Sequence, residues 1–226
     1  MPKKRLVKRS LRPVFYIFCE GSKTEPYYLE HYIKNHCQGF RAIQVNRIKL
    51  DDIVKIPKTT KTDPISLVNM AVRQKSMSPS PDRDRYWCAY DREAESTIPS
   101  KYHIKAFKEA SDNGIKVAFS NVCFEVWLLL HKQEGCASYD SCDDLLKRSR
   151  MREFYPEYKK GCRREFADAE ITVARKRAAK MNEGTCKGHA LNVSDALDPS
   201  HLVELNPYTN FYQLLDSIDA FLASQA

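Results

Sequence analysis

Three carboxylates in this chain stand where a carboxylate is costly. Glu20 lies just past the apolar run "VFYIF" (14–18), and Asp91 and Glu93 close "RYWCAYDRE" as a D-x-E. Acids gathered into one crevice repel one another unless something positive sits between them. Hard divalent cations, Mg²⁺ above all and Mn²⁺ in its place, prefer oxygen ligands and keep water or substrate phosphate in the rest of their shell. A cation held in this way can polarise a phosphoryl oxygen, stabilise a leaving oxygen or activate water. Glu20, Asp91 and Glu93 are therefore the candidate metal ligands.

Such a cluster requires elements that carry residue 20 to residue 91. "VFYIF" is continuously apolar, as in a strand covered on both faces, and "RYWCAYD" (85–91) and "IKVAFSN" (115–121) read as the third and fourth strands. "AIQVNRIKL" (42–50) reads as a further strand with polar alternation. Between them lie helical patterns. Ser22 and Glu25 have capping-box spacing ahead of Tyr28, Leu29, Tyr32 and Ile33, and Asp63-Pro64 opens a helix over 61–76. A third helix runs over 99–113 and ends at Gly114, and "CFEVWLLLHK" is an apolar helix directly after the last strand. The second half predicts helices near 140–150, 163–182 and 209–223, with 184–209 as a loop. Strands alternating with helices predict an α/β fold, its sheet mostly parallel and flanked by helices. Ligands of such sheets lie beyond the carboxyl ends of the strands, so Glu20, Asp91 and Glu93 meet if their strands are neighbours. We expect a basic tail over 1–12, a core over 13–135 and a helical extension over 136–226 that completes the same domain.

Net charge is +8, with basic blocks at 2–12, 157–166 and 174–180 that suit a polyanionic partner. The basic start lacks the apolar segment of a secretory signal, which predicts a cytoplasmic protein without membrane attachment. Eight cysteines include no C-x-x-C pair, so reduced structural thiols are expected in preference to zinc ligands. No P-loop lysine motif is present, which argues against an ATPase. Glu125, in "CFEVW", either points back to the metal site or holds a base such as Arg92. Ser120 and Asn121 are read as helix caps, Thr209 as the cap of the last helix, and His131 as a core or surface histidine.

Four ordered motifs, "EGSKTEPYYLE" from Glu20, "YDRE" at 90–93, "SNVCFEVWLLLH" at 120–131 and "NPYTNFYQLL" at 206–215, resemble the RloB (AbiLii-like) family. The resemblance runs from about residue 14 to 220. It implies a Toprim-like fold, whose signature is a Glu after one strand and D-x-D after another. Glu20 would match the general acid/base glutamate, and Asp91 and Glu93 the metal-holding pair, here with Glu for the second Asp. Glu125 joins them as a candidate catalytic residue. Lys159 and Lys160 match a lysine-bearing position and, with Lys23, Arg92, Arg163 and Arg164, are the expected nucleic-acid contacts. The activity implied is a Mg²⁺-dependent nuclease acting on tRNA or DNA beside an ABC-type ATPase in antiphage defence; a homo-oligomer is the assembly considered, and the sequence leaves the oligomeric state open. The rival is a non-catalytic module that binds nucleic acid or regulates the ATPase. A weaker third is an enzyme acting on nucleotides.

Overall fold

The computed structural model describes residues 12–35, 50–59, 63–159, 161, 165–192 and 198–225. Its centre is a sheet of five strands: β1 (Phe15–Cys19), β2 (Val54–Lys55), β3 (Arg85–Asp91), β4 (Lys116–Asn121) and β5 (Tyr208–Thr209). They lie in the order β2-β1-β3-β4-β5, parallel except for β5, which runs antiparallel to β4.

Strand alternation divides the core into two layers. Phe15, Ile17 and Cys19 face one layer, while Tyr16 and Phe18 face the other. β3 does the same, with Trp87 and Ala89 on the first side and Tyr86, Cys88 and Tyr90 on the second. Side chains of a strand alternate across the sheet, so a fully apolar strand demands cover on both faces. The first face is covered by α1 (Thr24–Asn35), α5 (Glu125–Leu130), α8 (Asp168–Gly188) and α10 (Phe211–Ala223). The second is covered by α3 (Pro64–Met77) and α4 (Ser100–Asp112), through Leu67, Val68, Ala71, Ala106, Phe107 and Ala110. Between these lie α2 (Leu50–Ile53), α6 (Cys142–Arg148), α7 (Met151–Phe154) and α9 (Pro199–Leu202). Among the described residues no helix is long and apolar enough to cross a membrane.

This is the expected α/β architecture with a mostly parallel sheet, helices on both faces and a C-terminal helix, consistent with a Toprim-like fold. Asp63 caps α3 as read, accepting from Ser66 N at 2.8 Å, with Pro64 at the first helical position. The strand expected over 42–50 lies almost wholly outside the described residues. The loop expected over 184–209 is partly regular. α8 continues through Gly184 to Gly188 because Cys186 is buried there, and Ala190, at φ 55°, turns the chain so that Leu191 N donates back to Cys186 O. α9 and β5 also fall within that stretch, at Pro199–Leu202 and Tyr208–Thr209.

The second half packs into the same layers as the sheet. Tyr139, Leu145, Met151, Tyr155, Phe166 and Ile171 share one core with β1 and β3. β5 extends the sheet, and the buried Asn182 fastens it: its Nδ2 donates to Thr209 O at 2.9 Å and its Oδ1 accepts from Thr209 N at 3.1 Å. Ser120 and Asn121 bond across to this segment instead of capping α5. Ser120 Oγ lies 3.0 Å from Thr209 Oγ1, and Asn121 Nδ2 donates to Val203 O. Thr209 is thus a strand residue whose hydroxyl also accepts from Phe211 N at 3.3 Å, and Asn210 holds the cap position of α10.

Candidate metal centre

β1 and β3 are neighbours, with Cys19 opposite Ala89. Glu20 N extends their ladder by donating to Ala89 O at 2.9 Å. Its carboxylate then reaches across, and Glu20 Oε2 accepts from Asp91 N at 3.0 Å. Asp91 ends β3 opposite Ser120, and the chain continues along β4, with Arg92 N donating to Ser120 O and Glu93 N to Val122 O. Glu93 adopts φ 54°, a left-handed conformation that L-residues other than Asn and Asp seldom take. Glu20, Asp91 and Glu93 consequently line one cleft of about 340 Å³ at the carboxyl end of the sheet. Gly21, Ser22, Lys23, Thr24, Glu25, Phe124, Glu125 and Gly161 complete its lining.

Glu25 is the acid that the sequence hid. Its capping-box spacing from Ser22 assigned it to the helix start, but α1 begins at Thr24 and Glu25 is buried against the cleft. Its Oε2 lies 2.8 Å from where a Cβ on Gly21 would stand, so the glycine is what lets this carboxylate fold back over the turn. The available signal was its position in the first turn of a helix that starts directly above the strand end.

The electrostatics follow from this crowding. Asp91 is held well above the usual carboxylate range, first by loss of water and then by repulsion from Glu25, Glu20, Glu125 and the Cys142 thiol. A donor set made of carboxylate oxygens fits a hard divalent cation, which would reverse that penalty.

Glu125 does not hold Arg92. It is 2% exposed at the start of α5, with Oε1 accepting from Tyr158 OH at 2.6 Å and Oε2 from the Cys142 thiol at 3.4 Å. Cys123, Glu125 and Cys142 place one ligand atom each within 4.8 Å of one another, a group that could hold a metal ion. The described cysteines are free thiols, as expected, but two of them have a setting the sequence did not suggest. Cys19 and Cys88 are core thiols of adjacent strands, but Cys123 and Cys142 flank a carboxylate. Their spacing matches no C-x-x-C template, and only the folding of α6 against α5 brings them together.

Arg92 is placed differently from the phosphate contact expected of it. It is buried, and its guanidinium donates to Val203 O at 3.2 Å, Ile98 O at 3.0 Å and Ser100 Oγ at 2.8 Å and pairs with Glu95. It braces the loop after β3. Lys23 is exposed and lines the cleft, packed along Gly161, where an added Cβ would stand 2.7 Å from its stem. Gly161 has φ 82° and its N–H donates to Thr24 Oγ1 at 2.9 Å, which seats the segment after Tyr158 on the start of α1. Lys159 is exposed beside this segment. Lys160, Arg163 and Arg164 lie outside the described residues, as do Cys37, Cys162 and the basic residues of 2–9.

The block 174–180 is only partly a free basic surface. Arg175 pairs with Asp216 at 2.6 Å and Asp219 at 2.8 Å, and Arg177 donates to Leu130 O and pairs with Glu134, while Lys176 and Lys180 are exposed. His131 is a core histidine, bonded to Tyr28 OH and Trp127 O, both at 3.0 Å.

No curated protein and no solved structure matches the chain. A family model does, that of the RloB-like protein, over residues 15–218. With the match running from the first residue of β1 into α10, the chain belongs to the RloB-like family.

Proposed function

We propose that this protein is a metal-dependent phosphodiesterase that cuts nucleic acid. The observation that carries the reading is the clamp of Glu20 on the Asp91 amide, inside a cleft where burial first, and then the neighbouring acids, raise Asp91. Mg²⁺, or Mn²⁺ in its place, held by Glu20, Asp91 and Glu93, would supply charge neutralisation at a phosphate and an activated water. The chain's own groups do the positioning. The Asp91 amide fixes the Glu20 carboxylate at the strand end, where it moves the proton between water and leaving oxygen. Lys23 stands at the cleft mouth, and the start of the twelve-residue helix α1 presents the positive end of its dipole on the same side. Lys159 and the adjacent cations at 160, 163 and 164 would track the phosphate backbone.

The family resemblance supports the biological setting we infer: an effector of cytoplasmic antiphage defence working with an ABC-type ATPase, on tRNA or DNA. The test is purified protein with tRNA, single-stranded DNA and duplex DNA, each with Mg²⁺ or Mn²⁺. Glu20→Gln and Asp91→Asn should abolish cleavage while circular dichroism stays unchanged. Cleavage by both variants at the wild-type rate would overturn the site. A wild-type protein that binds nucleic acid but neither takes up Mg²⁺ in calorimetry nor cuts would be the non-catalytic module instead.

A further inference from the structure

Beside the oxygen-lined cleft lies a group of different chemistry. Cys123 follows β4, Glu125 opens α5, and Cys142 opens α6, all three buried. Carboxylate and thiol side chains in a dry interior are usually accounted for by a partner, and here the three partner one another. The Cys142 thiol donates to Glu125 Oε2 at 3.4 Å, and the other carboxylate oxygen accepts from Tyr158 OH at 2.6 Å.

The geometry points to a second cation site: we propose that Cys123, Glu125 and Cys142 bind a soft divalent ion, zinc, as a Cys₂Glu set. Zinc takes sulfur at about 2.3 Å and carboxylate oxygen at about 2.0 Å, and a tetrahedral angle between them separates sulfur and oxygen by about 3.5 Å. The Cys142–Glu125 pair already stands at 3.4 Å, and all three ligand atoms fall within 4.8 Å of one another, so ligation needs Cys123 to close by about 1 Å at most. The Tyr158 hydroxyl supplies the outer hydrogen bond that ordinarily fixes a metal-bound carboxylate. Thiolates select zinc over magnesium, which separates this site from the oxygen ligands of Glu20, Asp91 and Glu93. Ligation releases the two thiol protons to solvent and leaves the carboxylate unchanged in charge. The ion would tie together α5, α6 and the Tyr158 segment as one wall of the cleft.

The test uses the full chain, stripped with a chelator under a non-thiol reductant, and reads metal binding rather than cleavage, so its result is independent of the nuclease reading. Cobalt added to the wild type should bind with an intense near-ultraviolet sulfur-to-metal band that zinc abolishes by displacement. Cys123→Ser and Cys142→Ser should each lose the band and weaken cobalt binding at least ten-fold, whereas Cys136→Ser should keep both. Zinc X-ray absorption on the wild type should show two sulfur neighbours near 2.3 Å, which decides the matter even if a serine variant fails to fold. A wild type without the band, a band that survives both serine substitutions, or zinc surrounded by nitrogen and oxygen alone would overturn the proposal.

Discussion

Substituting Gly21 by alanine tests the fold-back of Glu25 with a single methyl group. The new Cβ would stand 2.8 Å from Glu25 Oε2 and 3.6 Å from both Oε1 and Cδ. Ordinary contact begins at 3.4 Å, so the carboxylate must retreat by about 0.6 Å. Gly21 is not one of the positive-φ glycines, so the backbone accepts alanine without strain. Loss of unfolded-state freedom then offsets the contact, and stability should stay within about 1 kcal/mol of wild type. Glu25 shares the cleft with the ligands Glu20, Asp91 and Glu93 and is, after burial, the strongest influence on Asp91, and misplacement by about 1 Å near a reacting centre can cost 100-fold in rate. Magnesium affinity and cleavage should therefore fall roughly 10- to 100-fold at nearly constant melting temperature, which is the opposite of a packing defect. Adding Glu25→Asp withdraws the carboxylate by a methylene and should recover part of the loss. The measurements are thermal unfolding, calorimetric Mg²⁺ titration and initial cleavage rate. Wild-type Mg²⁺ affinity in Gly21→Ala would refute the reasoning, because the position of Glu25 beside Glu20, Asp91 and Glu93 would then have no bearing on the ion.

Two other perturbations separate structure from site. His131 is pushed down to about 4, chiefly by burial, so between pH 6.5 and 4 the unfolded chain binds a proton that the folded chain refuses. Stability should fall with acid through that window by about 2–3 kcal/mol from this group, and wild type should lose more than His131→Gln in urea unfolding at pH 7 and pH 4.5. The raised Asp91 works in the other direction, gaining stability as acid protonates it, so only the difference between the two proteins isolates the histidine. Arg92→Ala should cost about 2–4 kcal/mol in urea unfolding, because it strands the carbonyl of Ile98 and takes from Val203 O one of its two donors, yet leave the salt dependence of nucleic-acid binding unchanged. A shallower salt slope for Arg92→Ala would return that residue to the phosphate-binding set.

The parts of this fold legible in sequence were those in which chemistry and periodicity coincide at one position. Apolar runs that stop at Glu20 and at Asp91 announce strand ends, and a parallel sheet brings strand ends together. Asp63-Pro64 announces a helix because cap and first-turn residue fit only in that order. Glu25 was not legible, because its local spacing satisfied a capping template while the tertiary fold used it elsewhere. Arg92 sits in sequence between two acids of the cleft, but β3 turns successive side chains to opposite sides, and its direction is set by Val203, far along the chain. β5, two residues long, carries no periodic signal at all, and its place in the sheet depends on Asn182 and Ser120. The group of Cys123, Glu125 and Cys142 exists only once α6 has packed.

The order in which these pieces leave the ribosome gives β5 and α10 a further meaning. Glu20, Asp91 and Glu93 are synthesised in the first half of the chain, but the strand that pairs with β4 spans Tyr208–Thr209 and the helix that covers β1 ends at Ala223. A chain stopped before residue 208 carries every acid of the cleft and lacks the edge of its sheet, the Asn182 clamp's target and Phe211, Leu214, Leu215 and Ile218 from its core. On the proposed nuclease reading, the chain would thus be completed last at the point that makes it competent, and premature fragments would be left with the acids of the cleft but not the scaffold.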